Sequence, residues 1–193
     1  ERGFSIRFEG ELDMRMNTDS ALRAKEVINN YSEQELADVL YKYGELTNSR
    51  VIAKQIVFSR EKSEIITTKD LTNCISHLVP EKKKNQFLAR IFQSIRIEVN
   101  DEINSLKEML NNAVDILDSS GRLVILSYHS LEDRLVKNLF KKGNLEGNIQ
   151  KDFFGNIQKS LNEINSKVIT ATEKEIIANS RARSAKLRIA EKV

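Results

Sequence analysis

Cysteine, proline and histidine are nearly absent from this sequence, and each scarcity excludes something. The single cysteine, Cys74, rules out an internal disulfide. It falls between Leu71 and Ile75 on an apolar helical face, where a core thiol is expected. The only two histidines, His77 and His129, do not form a ligand cluster with it, so no zinc site is expected. No apolar run approaches the roughly 18 to 20 residues needed to cross a bilayer. The opening Glu1-Arg2-Gly3-Phe4 is not a signal peptide, and the expectation is a cytoplasmic protein with no membrane partner. No G-x-G pattern occurs anywhere, which leaves the chain without the glycine-rich loop that lets backbone approach a nucleoside cofactor.

What is present is charge and helical pattern. With one proline, 40% hydrophobic and 31% charged residues, the composition is that of a helix-rich globular protein and not of a disordered or fibrous one. The net charge of +3 permits a polyanionic partner without demanding one. Lys82, Lys83 and Lys84 form one basic knot; Arg181, Arg183, Lys186, Arg188 and Lys192 form another, opposed only by Glu191. Such runs are more often solvated faces than nucleic-acid contacts.

Residues 1–17 carry glycines and charges without periodicity and read as an ordered loop entering something larger. From about Ser20 to Leu117 apolar residues recur at three and four positions, as in Leu36, Val39, Leu40 and Tyr43. Ser32 with Glu35 forms a capping box and Gly44 a stop. Thr67 with Asp70 opens a helix running to about Leu78 before Pro80. Val51, Ile52, Ile56 and Val57 mark another helix between them. From Gln86 the series Phe87, Ile91, Ile95, Val99, Ile103, Leu106, Leu110 and Leu117 is too long for one helix. A bend is expected near Val99-Asn100, with Asn100 capping a second helix that begins Asp101-Glu102. Phe92, Ile95 and Val99 are expected in the core.

After Asp118-Ser119-Ser120-Gly121, the run Leu123 to Tyr128 reads as a strand buried on both faces. His129 to Arg134 leads into a helix with Leu135, Val136, Leu139 and Phe140 inward, ending by Gly143. Helix, strand, helix suggests part of a parallel α/β sheet. Asn144 to Ser166 is polar and reads as a mobile surface segment, and Ala185 to Ala190 as a last strand.

Five blocks carry a resemblance: Glu1-Arg2-Gly3-Phe4-Ser5, Leu12-Asp13-Met14-Arg15-Met16, Phe92-Gln93-Ser94-Ile95-Arg96-Ile97, Ser127 through Arg134, and Arg181 through Arg188. Together they resemble the C-terminal portion of the MraW-type, S-adenosylmethionine-dependent methyltransferases of small-subunit ribosomal RNA. The resemblance implies an incomplete Rossmann-like α/β domain with an inserted all-α domain. Residues 1–17 would be a loop of the methyltransferase domain, 18–98 the insertion, and 99–193 the rest of the methyltransferase domain. It further implies N4-methylation of a cytidine in 16S ribosomal RNA. The family's cofactor elements would precede Glu1, so no cofactor-binding residue transfers and the chain alone is expected to be inactive. An incomplete sheet also implies association with the missing part or with a second copy. A non-catalytic RNA-binding or oligomerising helical module is the alternative.

Ser127 to Arg134 lies where a parallel strand delivers its C-terminal end, the usual ligand edge of open α/β sheets. His129 and Ser130 are therefore the candidate catalytic residues, able to align a weakly nucleophilic amine. The competing explanation is a capped turn with Ser130 as N-cap and Asp133 three residues on; Asp133 and Arg134 also suit a helix-start ion pair. Asp13 and Arg15, between apolar anchors Leu12, Met14 and Met16, are candidate substrate contacts, with a simple salt bridge as the alternative. Arg181 and Arg183, two apart on an extended segment, would face one side and suit phosphates.

Overall fold

The computed structural model describes residues 2–78, 81–165 and 167–193. Glu1, Pro80 and Ser166, each used above, lie outside the described residues. The chain divides into two compact units, Glu1–Glu102 and Ile103–Val193.

The first unit is helical: α1 (Ala24–Asn30), α2 (Glu33–Gly44), α3 (Ser49–Arg60), α4 (Thr68–Ile75) and α5 (Lys84–Asn100). Its boundaries follow local chemistry. Ser32 Oγ accepts the Glu35 amide at 3.3 Å while the Glu35 carboxylate accepts the Ser32 amide at 2.7 Å, closing two otherwise unmet donors. Thr67 and Asp70 do the same for α4 at 3.1 and 2.9 Å, and the chain continues past Ile75 as a 3-10 turn to Leu78. α2 stops at Gly44 as expected, but not through a left-handed glycine. The left-handed residue ending α2 is Glu45 (φ 51°), whereas a Cβ on Gly44 would stand 3.1 Å from the Arg90 carbonyl, so its absence lets α2 approach α5.

Leu36, Leu40, Ile52, Ile56, Leu71, Ile75, Ile91, Phe92, Ile95 and Val99 fill one core, with Cys74 packed at its edge. The N-terminal segment belongs to this core: Leu12 and Met14 are fully buried in it. Each contributes about 1.5 to 3 kcal/mol by burial. The segment is pinned by its backbone. The Met14 amide donates to the Arg2 carbonyl at 2.8 Å, and Gly3 (φ 73°) sits where any Cβ would collide with the Glu11 carbonyl.

The bend expected at Val99-Asn100 is present, but Asn100 does not cap the next helix. Asp101 takes the left-handed turn (φ 48°), and the Asn100 side chain instead donates to the carbonyls of Met14 (2.7 Å) and Arg96 (2.8 Å) and accepts the Met16 amide (2.6 Å).

Beyond Asp101 runs α6 (Glu102–Ile116), then β1 (Arg122–Ser127), α7 (Ser130–Lys142), β2 (Leu161–Glu163), β3 (Ile169–Thr170), α8 (Glu173–Ala178) and β4 (Lys186–Lys192). The sheet order is β1-β4-β2, with β3 also on β4, and every pairing is antiparallel. This corrects the expectation of a parallel sheet. β1 and β2 do run parallel to each other across the α7 connection, but β4 occupies the place between them and takes the hydrogen bonds of both. The segment Asn144 to Ser166 is likewise more structured than expected, since it contains β2, with Leu161 1% exposed.

Leu123 and Ile125 on β1 face a second core formed with Leu110, Val136, Leu139, Phe140, Leu161 and Ala190. The opposite face is open: Val124 and Leu126 are 54% and 50% exposed. The strand is thus covered on one face in this chain, not on both.

Candidate functional site

β1 delivers its C-terminal end to the sharp corner Tyr128-His129-Ser130, from which α7 starts. The N-cap is His129, not Ser130. Its Nδ1 accepts the Glu132 amide at 3.4 Å, and Glu132 Oε2 accepts the amides of Tyr128 (2.8 Å) and His129 (3.4 Å). His129 Nε2 lies 3.1 Å from Glu132 Oε1, but the alignment is too poor for a hydrogen bond, and this buried nitrogen has no hydrogen-bond partner among the described residues. Burial pushes the Glu132 carboxyl up, but the close approach of the His129 imidazole and the hydrogen bonds from the Tyr128 and His129 amides outweigh it, leaving the group below its ordinary value.

The capping box lies one residue earlier than expected, and Asp133 is committed elsewhere. Asp133 Oδ1 accepts from Arg188 Nε at 2.7 Å, and Oδ2 lies 3.2 Å from Lys186 Nζ. Two cations on β4 thus hold Asp133. Arg188 also approaches Glu163 at 3.7 Å, which in turn meets Lys141 at 3.6 Å. Burial raises the Asp133 pKa, but Arg188 and Lys186 hold it below the ordinary carboxylate value. This network lies on the covered side of the sheet, so the basic residue expected on a solvated run, Arg188, is interior, with its side chain 10% exposed.

On the open side, at the same end of β1, is a cleft of about 550 Å³. Leu126, Tyr128, Leu187, Ile169, Asn179 and Arg181 are among the residues that line it. The apolar lining, the half-exposed phenol of Tyr128 and the guanidinium of Arg181 suit a planar ring attached to a phosphate. Tyr128 was missed in the sequence because it reads as the last residue of an apolar strand; only the exposure of that face marks it.

Arg181 and Arg183 are not on an extended segment. They belong to the 3-10 helix Ser180–Ser184, where residues two apart point in different directions. Arg181 lines the cleft; Arg183 is exposed outside it. Ser130 is exposed at the first turn of α7.

Asp13 and Arg15 are paired with each other, in the first unit. Two contacts of 2.8 Å join the guanidinium to the carboxylate, and Arg15 also donates to the carbonyls of Thr18 (2.7 Å) and Ser20 (2.8 Å). The hydrogen bond from Arg15 is the main cause that brings the Asp13 pKa down to about 2. The pair ties together the loop that carries Met14.

Curated relatives share this sequence over nearly all of its length. The ribosomal RNA small subunit methyltransferase H of Parabacteroides distasonis is 52% identical over 193 residues, covering 100% of this chain and 63% of the relative. Those of Flavobacterium johnsoniae and Amoebophilus asiaticus are 49% and 47% identical, covering 100% and 99% of this chain and 64% and 62% of their own lengths. The chain thus spans under two thirds of the relatives it matches. Residues 1–193 match the MraW methylase family, and the chain belongs to that family.

Proposed function

We propose that this chain is the acceptor-binding portion of an S-adenosylmethionine-dependent methyltransferase that modifies the N4 amine of a cytidine in small-subunit ribosomal RNA. The observation that carries this reading is the cleft at the C-terminal end of β1, where Tyr128 and Arg181 stand beside the His129 corner in a chain of the MraW family. On this reading the second unit belongs to a Rossmann-like domain and residues 18–98 are a helical insertion.

S-adenosylmethionine does not fit the described residues. A nucleoside cofactor needs close backbone approach and an acceptor for its ribose hydroxyls. After β1 the chain offers His129 in place of glycine, and Glu132 spends an oxygen on the corner's own amides. The donor is therefore assigned to the part of the relatives' length that this chain does not span.

The role of the present residues is positioning. Tyr128 stacks on the base and Arg181 meets the adjoining phosphate. Ser130 reaches toward the amine, whose lone pair is withdrawn into the ring and must be aligned before it attacks. His129 acts through the cap, holding the corner, and Asp13 with Arg15 holds the loop between them. The open face around Val124, beyond the cleft, is where the remaining part, or a second copy, would pack. The alternative is an RNA-binding module without chemistry, favoured by the lack of a cofactor cradle among the described residues.

The test compares this chain with a protein spanning the relatives' full length. Calorimetry should show no S-adenosylmethionine binding to the chain alone, and the longer protein should methylate small-subunit RNA. Tyr128→Ala and Arg181→Ala should each raise the KM for RNA, Arg181→Ala also lowering the salt slope by about 1. Absence of methyl transfer to small-subunit RNA by the longer protein would defeat this reading and leave the binding module.

A further inference from the structure

The largest unburied aromatic surface lies outside the cleft. Phe153 and Phe154 are 98% and 86% exposed, yet the turn that carries them is tightly organised. Lys151 and Ile157 pair as an antiparallel bridge, and the Asp152 amide donates to the Asn156 carbonyl at 2.9 Å. Asp152 Oδ1 accepts the amides of Phe154 (2.9 Å) and Asn156 (2.8 Å), and Oδ2 accepts from the Asn156 side chain (3.1 Å). Gly155 takes φ 86°, and a Cβ there would meet nothing within 4 Å, so the tip stands in solvent. The two rings meet edge to face at 5.7 Å and 88°.

A turn that spends an aspartate on its own amides and holds two phenylalanines in water presents those rings to something. The local charge names the partner. Asp152 is satisfied within the turn, whereas Lys151 and Lys159 flank it and enter no ion pair among the described residues. Two rings and two lysines fall far short of the roughly 800 Å² per partner of a stable protein interface. They do match aromatic stacking interleaved with phosphate contacts, the pattern of single-stranded nucleic-acid recognition.

We propose that the Asp152–Asn156 turn is a base-stacking wedge, in which Phe153 and Phe154 stack on unpaired bases of an RNA while Lys151 and Lys159 meet the adjacent phosphates. The inference rests on the RNA-acceptor reading above and adds a contact away from the acceptor cleft.

The chain contains no tryptophan, so Phe154→Trp introduces a single indole at the tip. Titration with a single-stranded oligoribonucleotide of about 12 nucleotides should quench it. Phe153→Ala with Phe154→Ala should weaken binding by about 30-fold or more, with the salt slope unchanged and the melting temperature unmoved, since both rings are exposed. Lys151→Ala with Lys159→Ala should instead reduce the slope by about 1.4. Unchanged affinity in the phenylalanine double variant, absence of oligonucleotide binding by the parent chain, or quenching by anionic phospholipid vesicles and not by RNA would each overturn the wedge. These outcomes are separable from the methyltransferase reading: a longer protein that methylates normally with both phenylalanines replaced and binds RNA unchanged sinks only the wedge. A parent protein that stacks RNA on the tip but transfers no methyl group sinks only the enzyme.

Discussion

Arg188 on β4 and Asp133 on α7 form a nearly enclosed ion pair: Nε and Oδ1 are 2.7 Å apart and the two side chains are 10% and 11% exposed. The pair clamps the helix that follows the candidate corner onto the central strand of the sheet.

Breaking this pair one-sidedly should be costly. Asp133→Ala leaves the Arg188 guanidinium without its main partner in a poorly hydrated place, an expected loss of about 3 to 5 kcal/mol. Replacing both, Asp133→Leu with Arg188→Met, should recover much of that loss, because the desolvation of both charges disappears together. Urea unfolding of the three proteins measures it, and a single variant within about 1 kcal/mol of the parent would show the pair to be effectively solvated.

At the corner, His129→Ala removes the acceptor for the Glu132 amide and should cost about 1 kcal/mol. His129→Asn supplies a new capping oxygen and should restore most of it. In the protein of full family length, a positioning role predicts that kcat follows stability: lowered by up to about a hundredfold in the alanine variant and largely rescued by asparagine. An asparagine variant with a restored melting temperature and an unrescued kcat would show that the imidazole itself touches the base.

Acid should loosen the N-terminal loop before neutral-pH chemistry is disturbed. The Asp13 pKa is depressed to about 2 by Arg15, against an unfolded value of about 3.9. A depressed carboxyl contributes its stability above the unfolded pKa, and that contribution is lost as pH falls from about 4 toward 2. Asp13→Asn should flatten this part of the stability profile and cost about 2 kcal/mol at neutral pH. Circular dichroism melts across pH 2 to 5 in both proteins provide the comparison; identical profiles would remove the pair from the account.

Much of the helical architecture was readable because its signals are local. Ser32 with Glu35, Thr67 with Asp70, and the break at Asn100 each involve partners within a few residues. The Ser130/Asp133 box is equally plausible by spacing, but His129 and Glu132 form the box and Asp133 binds a residue 55 positions away. The spacing of Arg181 and Arg183 suits one side of an extended segment; the short 3-10 helix separates them, and of the two only Arg181 lines the cleft. The alternation of β4 was visible, but not its sense, in which Arg188 is interior and Leu187 lines the open cleft.

The sequence therefore decides the ends of helices whose caps are local, as at Ser32 and Thr67, the apolar stripes that face each core, and membership of the family, since these rest on residue identity and near neighbours. Tertiary structure alone decides that β4 lies between β1 and β2, that His129 and not Ser130 caps α7, and that Tyr128 shares a cleft with Arg181. Those outcomes depend on pairings across dozens of residues, whose free energy exists only after the chain has closed on itself.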